Sequence, residues 1–370
     1  MRKIRSSAAY LTDLLPYDPK YLPARIYLNA NESPYGLPAP VREDLIEMFS
    51  EQTLHRYPDP LAKSLRERIA EVNHRKEEEV LLGNGGDELL FDILLAYGGA
   101  GRKLLTAPPS FSSYELDAIL TSTELIEVPR IEQPCYEAGQ KTAKLAVLEA
   151  SVLERVGKGD IDVVMLASPN NPSGDTLCED FVVELLNVSD ALVLIDQAYL
   201  EFADSRFDLL RHLDEHENLV ILRTFSKAYA LAGVRLGYLF ASQSIVNELF
   251  KVRQPYSVDA VSALAGKVVM DNLEAFSQQI AESISERERV INALSAMVGV
   301  TVYSSEANFV LFQTKDAQRL WQDLYDEKGI LLRDFSSAPY LGDCLRVSIG
   351  TPEENDEFLA ACRKKLGVAL

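Results

Sequence analysis

Between residues 80 and 224, short apolar runs alternate with stretches of helical periodicity, and this alternation strongly limits the possible folds of the chain. The runs are uninterrupted and do not alternate apolar with polar residues. Such strands are typical of a parallel sheet with both faces covered by helices. We therefore predict an α/β fold with strands at residues 80–82, 103–106, 124–128, 163–167, 192–195 and 219–224, and with intervening helices at 87–97, 112–120 and 181–187.

The pattern changes near residue 260. A long, charged helical region covers residues 260–297, and strands at 300–303, 308–313 and 345–349 then precede a final helix at 352–366. This order predicts an α+β unit in the C-terminal third. The N-terminal residues are rich in proline and are expected to join that unit, before helices at 41–50 and 61–72. The predicted domains are an arm and part of the small domain at 1–40, a large domain at 41–260, and a small domain at 261–370.

Composition excludes several kinds of partner. The chain has 370 residues and a net charge of −19, which argues against general binding of nucleic acid or anionic membranes. No run approaches the roughly 20 apolar residues that span a bilayer. The four cysteines are far apart and form no CxxC pair, so neither disulfides nor a structural zinc site are expected. We predict a cytoplasmic protein.

The segment 224–235 carries the clearest chemical signal. Lys227 directly follows Ser226 and lies among apolar residues, which disfavour the charged form of its amine. A neutral amine could form a Schiff base with an aldehyde cofactor. Ser226, Thr224 and Arg235 could hold a phosphate nearby. Taken alone, the same residues also fit an ordinary surface turn.

A glycine-rich loop, residues 83–88, lies between a predicted strand and a predicted helix. Glycines allow close backbone approach to a phosphate, and the helix start offers unpaired N–H groups. The spacing matches neither a Walker loop nor GxGxxG, so a nucleotide site is not supported. The alternative is a plain turn between strand and helix.

Two further positions combine charge with apolar strands. Asp196 ends a predicted strand and needs a partner if it is buried, such as a protonated ring nitrogen, with Tyr199 within reach of the same ligand. Arg346 lies inside an apolar strand, and Arg333 precedes it by thirteen residues. An arginine in such a place pairs either with a structural acid or with an anionic substrate.

In the same order along the chain, these motifs resemble those of the fold-type I pyridoxal-phosphate aminotransferases. The resemblance covers nearly the whole chain and rests on an ordered set of motifs rather than on a single one. The matching segments are residues 29–36, 56–59, 83–88, 108–111, 170–174, 196–199, 226–235 and 346–351.

The resemblance implies a large domain with a mostly parallel seven-stranded sheet flanked by helices, and a smaller α+β domain from the N- and C-terminal segments. It implies pyridoxal 5'-phosphate as the cofactor. Lys227 would form the Schiff base and move the substrate proton, and Asp196 would pair with the pyridine nitrogen. Tyr199 and Asn171 would bind the phenolic oxygen, and Phe111 would stack on the ring.

The remaining implied contacts concern the two phosphates and the dimer. The cofactor phosphate would be bound by Gly85, Gly86, Asp87, Thr224, Ser226 and Arg235. Tyr57 would reach the cofactor of the partner subunit, which makes a homodimer part of the site. The anionic substrate would be bound by Arg346, Arg333, Asn31, and Tyr17 or Tyr21.

The resemblance is strongest to family members that transfer the amino group of L-histidinol phosphate to 2-oxoglutarate, giving imidazole-acetol phosphate and L-glutamate in histidine biosynthesis. Three alternatives stay open: an aromatic or broad-range aminotransferase, a threonine-phosphate decarboxylase, and a non-catalytic regulator. The cofactor loop lacks a serine that often precedes Asp87 in the family, and residues 133–141 match no known motif. His212 and His216 are interpreted as part of an exposed helix, and no metal is expected.

Overall fold

The computed structural model describes residues 22–137 and 140–367. Strands and helices follow one another as the apolar pattern predicts, with additional elements. The strands are β1 (Ile26–Leu28), β2 (Val80–Gly83), β3 (Lys103–Thr106), β4 (Glu124–Glu127), β5 (Ile131–Glu137), β6 (Gln140–Ala146), β7 (Val163–Ala167), β8 (Leu192–Asp196), β9 (Leu219–Thr224), β10 (Gly237–Ala241), β11 (Val300–Val302), β12 (Phe309–Thr314), β13 (Ile330–Phe335) and β14 (Cys344–Ser348). The α-helices are α1 (Ala39–Ser50), α2 (Lys63–Val72), α3 (Gly85–Tyr97), α4 (Ser113–Thr121), α5 (Glu149–Val156), α6 (Glu179–Val188), α7 (Gln243–Val252), α8 (Ala260–Asp271), α9 (Ser277–Ser295), α10 (Ala317–Lys328) and α11 (Pro352–Leu366).

The larger sheet has seven strands in the order β2-β10-β9-β8-β7-β3-β4. All neighbours pair in parallel except β10, which runs antiparallel to both β2 and β9. Every residue of β7, β8 and β9 is buried, because helices cover both faces of the sheet. The predicted α/β class and the mostly parallel seven-stranded sheet are confirmed.

The carboxyl ends of β7, β8 and β9 meet at one edge of this sheet. Ala167 is paired with Asp196, and Asp196 in turn with Leu222, so the three strands end nearly level. The loops that follow them carry Asn171, Tyr199 and Lys227. Ligands of open α/β sheets bind at this edge, and the predicted site residues therefore converge there.

The smaller sheet combines the two ends of the chain. Its order is β1-β13-β14-β12-β11, and β1 pairs in parallel with β13. The N-terminal strand thus enters the C-terminal sheet, as the resemblance implied. The core beneath it includes Phe312, Phe358 and Leu345, all fully buried. The domain limits at residues 40 and 260 stay a prediction.

Some expected elements were wrong. Residues 260–297 do not form one helix: Asn272 ends α8, and a 3-10 turn (Leu273–Phe276) precedes α9. Of the unassigned residues, 133–137 and 140–141 belong to the antiparallel strands β5 and β6. Strands β1, β10 and β13 and helices α5, α7 and α10 were not predicted. In the described residues, no helix combines the length and the apolar character needed to cross a membrane.

Candidate active site

A cavity of about 350 Å³ lies where the edge of the large sheet faces the smaller sheet. Both ends of the chain and the middle of it contribute to the lining. The predicted residues that line it are Asn31, Gly86, Asp87, Phe111, Asn171, Asp196, Tyr199, Thr224, Ser226, Lys227, Arg235, Arg333 and Arg346. The structure therefore brings together nearly all of the predicted site.

Lys227 projects into this cavity from the loop after β9. Its Nζ donates a hydrogen bond to the backbone carbonyl of Ala30, at 3.1 Å, and lies 5.8 Å from the centre of the Tyr199 ring. Burial, and then the positive charge of Arg346, lower the pKa of Lys227 to about 8. Glu32, which the sequence analysis missed, lines the same cavity and opposes this shift. The amine is thus easier to deprotonate than an exposed lysine.

Asp196 is buried at the floor of the cavity. Its Oδ1 accepts from the backbone N–H of Ala198 at 3.0 Å, and its Oδ2 accepts from the hydroxyl of Tyr114 at 2.9 Å. Burial raises the pKa of Asp196 to about 6, and the Tyr114 hydrogen bond opposes that rise. A carboxylate in this position is suited to a cationic partner such as a protonated ring nitrogen.

Tyr114 was not predicted from the sequence. It lies on α4, three residues after Phe111, and their rings meet edge to face with centroids 5.8 Å apart. A tyrosine three residues after the ring-stacking aromatic residue, in the first turn of the next helix, was a usable signal, because it stays close to that residue. Phe111 itself lines the cavity, where a flat ring can lie against it.

Replacing Tyr114 with phenylalanine removes a hydrogen bond to the Asp196 carboxylate, so we expect the pKa of Asp196 to rise above 6 by about one unit. The part of the affinity for the cofactor that depends on the ionised Asp196 carboxylate is present above this pKa and is lost as the pH falls through it. The acid limb of cofactor binding should therefore move to higher pH. Fluorescence titration of the cofactor-free protein between pH 5 and 8 measures the shift. Tyr97→Phe, outside the cavity lining, is the control, and an unshifted limb in Tyr114→Phe would contradict the expectation.

The start of α3 and the loop before β10 form a cradle for an anion. Gly85 has a φ of +81°, and a Cβ on it would lie 2.8 Å from Arg235 Nη2, so glycine is required for this close approach. The first N–H groups of α3 lie beside this arginine, which also pairs with Asp87 at 2.6 Å. The donors needed for a phosphate are therefore present without the missing serine.

Two hydroxyls complete the cradle. The Thr224 hydroxyl donates to Ser226 Oγ at 3.0 Å, which leaves the Ser226 hydrogen available for a ligand. The Ser226 backbone N–H is held by Thr224 Oγ1 at 3.1 Å. Helix start, arginine and hydroxyl lie at one end of the cavity, with Lys227 next to them. An aldehyde cofactor with a phosphate group fits this donor set.

Arg346 and Arg333 line the opposite wall. Their Cα atoms are paired across β14 and β13. Phe335, which was not predicted, has its ring centre 5.6 Å from the Arg346 guanidinium and 5.8 Å from that of Arg333. Arg346 also donates to Asn29 O at 2.8 Å and to Asn171 Oδ1. Two cations held around one aromatic ring suit a doubly charged anion.

Asn171, Tyr199 and Asn31 surround the remaining side of the cavity. Because Asn171 Oδ1 accepts from Arg346, its amide nitrogen is the atom that can donate to a ligand. Asn31 donates from Nδ2 to the Tyr199 hydroxyl at 3.0 Å, and its Oδ1 accepts from Ser348 at 3.1 Å. Asn31 was predicted to bind substrate, yet both ends of its amide contact protein side chains.

The other predicted residues lie elsewhere. Tyr57 is 82% exposed, stacks on Tyr256 at 4.7 Å, and does not line the cavity of its own chain. Tyr17 and Tyr21 fall outside the described residues. The exposed helix expected at His212 was wrong, because a 3-10 turn ends there and His212 Nε2 lies 2.8 Å from Glu179. Ligand atoms of His212, Glu215 and His216 lie within 4.8 Å of one another, and the expectation of no metal stays a prediction.

Fold and site together define a pyridoxal-phosphate-type transferase, and comparison with known proteins assigns the family. The family model described as "Aminotransferase class I and II" matches residues 24–361. The chain therefore belongs to the class I and II aminotransferases. Within them it belongs with the histidinol-phosphate aminotransferases, since it is 40% identical to histidinol-phosphate aminotransferase 1 of Carboxydothermus hydrogenoformans over 100% of both chains.

Solved structures agree with this fold. The histidinol-phosphate aminotransferase of Sinorhizobium meliloti, solved in complex with pyridoxal-5'-phosphate, superposes with a TM-score of 0.85 at 23% identity and covers 98% of each chain. The L-threonine-O-3-phosphate decarboxylase of Porphyromonas gingivalis superposes with a TM-score of 0.79 at 25% identity, covering 92% of this chain and 99% of that one. The fold thus also occurs in a decarboxylase, so the fold alone does not determine the reaction.

Proposed function

We propose that this protein is a pyridoxal-phosphate-dependent transaminase that transfers the amino group of L-histidinol phosphate to 2-oxoglutarate. The observation that carries the proposal is the pair Arg333 and Arg346 on one wall, opposite Lys227 and the phosphate cradle. The anion-binding cradle at the start of α3 holds the cofactor phosphate, and the arginine wall holds the phosphate of the substrate. The relationship to histidinol-phosphate aminotransferases supports the same assignment.

Each residue then has a task. Gly85, Gly86 and Ser226 hold the cofactor phosphate beside Arg235, and Phe111 lies against the ring. Asp196 keeps the ring nitrogen protonated, so that the cofactor, when bound, can accept electron density from the substrate's α-carbon. Lys227 would take the proton from that carbon and pass it to the cofactor carbon that carries the transferred nitrogen, because its lowered pKa allows both forms near neutral pH. Tyr199 and Asn171 donate to the phenolic oxygen.

The protein is further proposed to act as a cytoplasmic homodimer. Helix α1 and the loop after it expose several large apolar side chains, a pattern that marks interaction surfaces in soluble proteins. These are Ile46, Phe49, Leu54 and Tyr57, with Tyr256 stacked on the last. Tyr57 would reach the partner's cofactor from this surface. The cysteines are free among the described residues, which suits a reducing compartment.

Product analysis tests the reaction type. Histidinol phosphate with 2-oxoglutarate should yield glutamate in stoichiometric amount, since one amino group leaves for each one received. Threonine phosphate should yield no CO2 above that of the cofactor-free protein. Release of CO2 from threonine phosphate, without glutamate from histidinol phosphate, would replace the transaminase with the decarboxylase.

A further inference from the structure

A chain of hydrogen bonds runs from the smaller sheet to the Tyr199 hydroxyl. The backbone N–H of Asn31 donates to Ser348 Oγ at 2.8 Å, and the Ser348 hydroxyl donates to Asn31 Oδ1 at 3.1 Å. Asn31 Nδ2 then donates to Tyr199 Oη at 3.0 Å. Asn31 is 1% exposed and Ser348 2%, so this chain is shielded from water.

The chain has a fixed direction. The Ser348 hydroxyl hydrogen is donated to Asn31 Oδ1, and the Nδ2 end of the amide therefore faces Tyr199. This nitrogen can only donate. The Tyr199 oxygen must therefore accept from it, and the single hydrogen of Tyr199 has to point to another acceptor.

The backbone of Asn31 is also specialised. Its φ is +55°, a left-handed conformation that asparagine tolerates better than most residues. The Asn308 side chain donates to the Asn31 carbonyl at 3.1 Å and helps to hold this conformation. The side-chain amide is thereby set against Tyr199, which is 168 positions away in the sequence.

We propose that Asn31 is a positioning residue, rather than a substrate ligand, which turns the Tyr199 hydroxyl hydrogen toward the phenolic oxygen of the bound cofactor. Because the Asn31 amide donates to the hydroxyl oxygen of Tyr199, the hydroxyl hydrogen is left to be donated toward the cavity. Bonds in such a buried chain reinforce one another. The inference rests on the placement of Tyr199 given above and is independent of which amine is the substrate.

Replacing Asn31 with glycine leaves the charged groups around Tyr199 unchanged. They are Arg346, Asp196 and Asp87, with Lys227 Nζ 5.8 Å from the ring centre. Burial raises the pKa of Tyr199, while the charge of Arg346 and the Asn31 hydrogen bond oppose this rise. Because its amide is neutral, Asn31 acts on Tyr199 by orienting the hydroxyl through a hydrogen bond and not through charge.

The test uses the pH dependence of the visible absorbance of the protein loaded with pyridoxal phosphate, without substrate. A hydrogen bond donated to the anionic phenolic oxygen favours the deprotonated form of the cofactor. Loss of that bond should therefore raise the pH midpoint of the absorbance change. Asn31→Gly keeps the left-handed backbone and removes the amide, and it should raise the midpoint by about half a pH unit. Asn31→Asp keeps the shape but presents an acceptor to Tyr199, and it should raise the midpoint by about one unit.

The variant Tyr199→Phe separates this inference from the proposed function. By itself, this variant should raise the pH midpoint of the absorbance change. Adding Asn31→Gly to it should produce no further shift, because the two residues act through one hydroxyl. If Tyr199→Phe leaves the midpoint unchanged, Tyr199 does not contact the phenolic oxygen, and its assigned role and the inference about Asn31 are both overturned, whereas the transaminase reaction is decided separately by glutamate formation. If Tyr199→Phe shifts it while Asn31→Gly does not, or if Asn31→Gly shifts it equally in both backgrounds, only the role of Asn31 is overturned.

Discussion

Replacing Lys227 with alanine will lower kcat by at least about 10⁴-fold, because the variant loses both the amine that binds the cofactor aldehyde and the group that moves the substrate proton. Lys227 is the lysine that lines the cavity, beside both the phosphate cradle and the Asp196 carboxylate. The bound cofactor's visible absorbance should also change, since the covalent link to the protein is absent.

The rate is measured by glutamate formation with saturating cofactor, and the absorbance by a spectrum after dialysis. Lys251→Ala is the matched control, because that side chain is 66% exposed, pairs with Glu248 in the same helix and lies outside the cavity lining. The control should retain wild-type turnover. A Lys227→Ala protein that folds, binds the cofactor and keeps more than about 1% of the wild-type rate would contradict the assignment.

Replacing Arg333 with glutamine should reduce kcat/KM for histidinol phosphate by about 100-fold, which corresponds to about 3 kcal/mol of lost charge-assisted bonding. The same variant should change kcat/KM for unphosphorylated histidinol by less than about threefold, because that compound carries no anion for the guanidinium. Arg333 is chosen over Arg346 because Arg346 also contacts Asn171 and its removal would disturb the cofactor side.

Both substrates are measured in the same glutamate assay. Arg319→Gln, an exposed position on α10 outside the cavity lining, provides the control and should leave both values unchanged. Equal losses with the two substrates would mean that Arg333 supports the structure of the site and does not recognise the phosphate.

The central strands could be predicted almost to the residue, because β7, β8 and β9 are fully buried and therefore uninterrupted in their apolar character. Strand β13 was missed because its half-buried second half carries Arg333 and Asp334, which interrupt the apolar run. Strand β10 was missed because it begins at a glycine, Gly237. A side chain at this position would collide with the backbone of Gly85, which packs closely against it. Such packing cannot be read from local composition.

The site was predicted in large part because its residues follow the ends of parallel strands or fit family motifs. What could not be predicted are contacts between distant segments. The Asn31 backbone N–H meets Ser348 across 317 positions, and Tyr114 meets Asp196 across 82. The role of Phe335 becomes apparent only in the folded chain, where the pairing of β13 with β14 places its ring close to both Arg333 and Arg346.

The ratio of kcat/KM for L-histidinol phosphate to that for L-phenylalanine, both with 2-oxoglutarate, tests the central claim most directly. An aromatic or broad-range aminotransferase uses the same lysine, aspartate and cradle, so we expect Arg333 and the aromatic wall of the pocket to separate the two functions. The account predicts a ratio of at least about 100, the value of one well-placed charge-assisted contact. A ratio below one would contradict histidinol phosphate as the substrate and assign the chain to the aromatic aminotransferases.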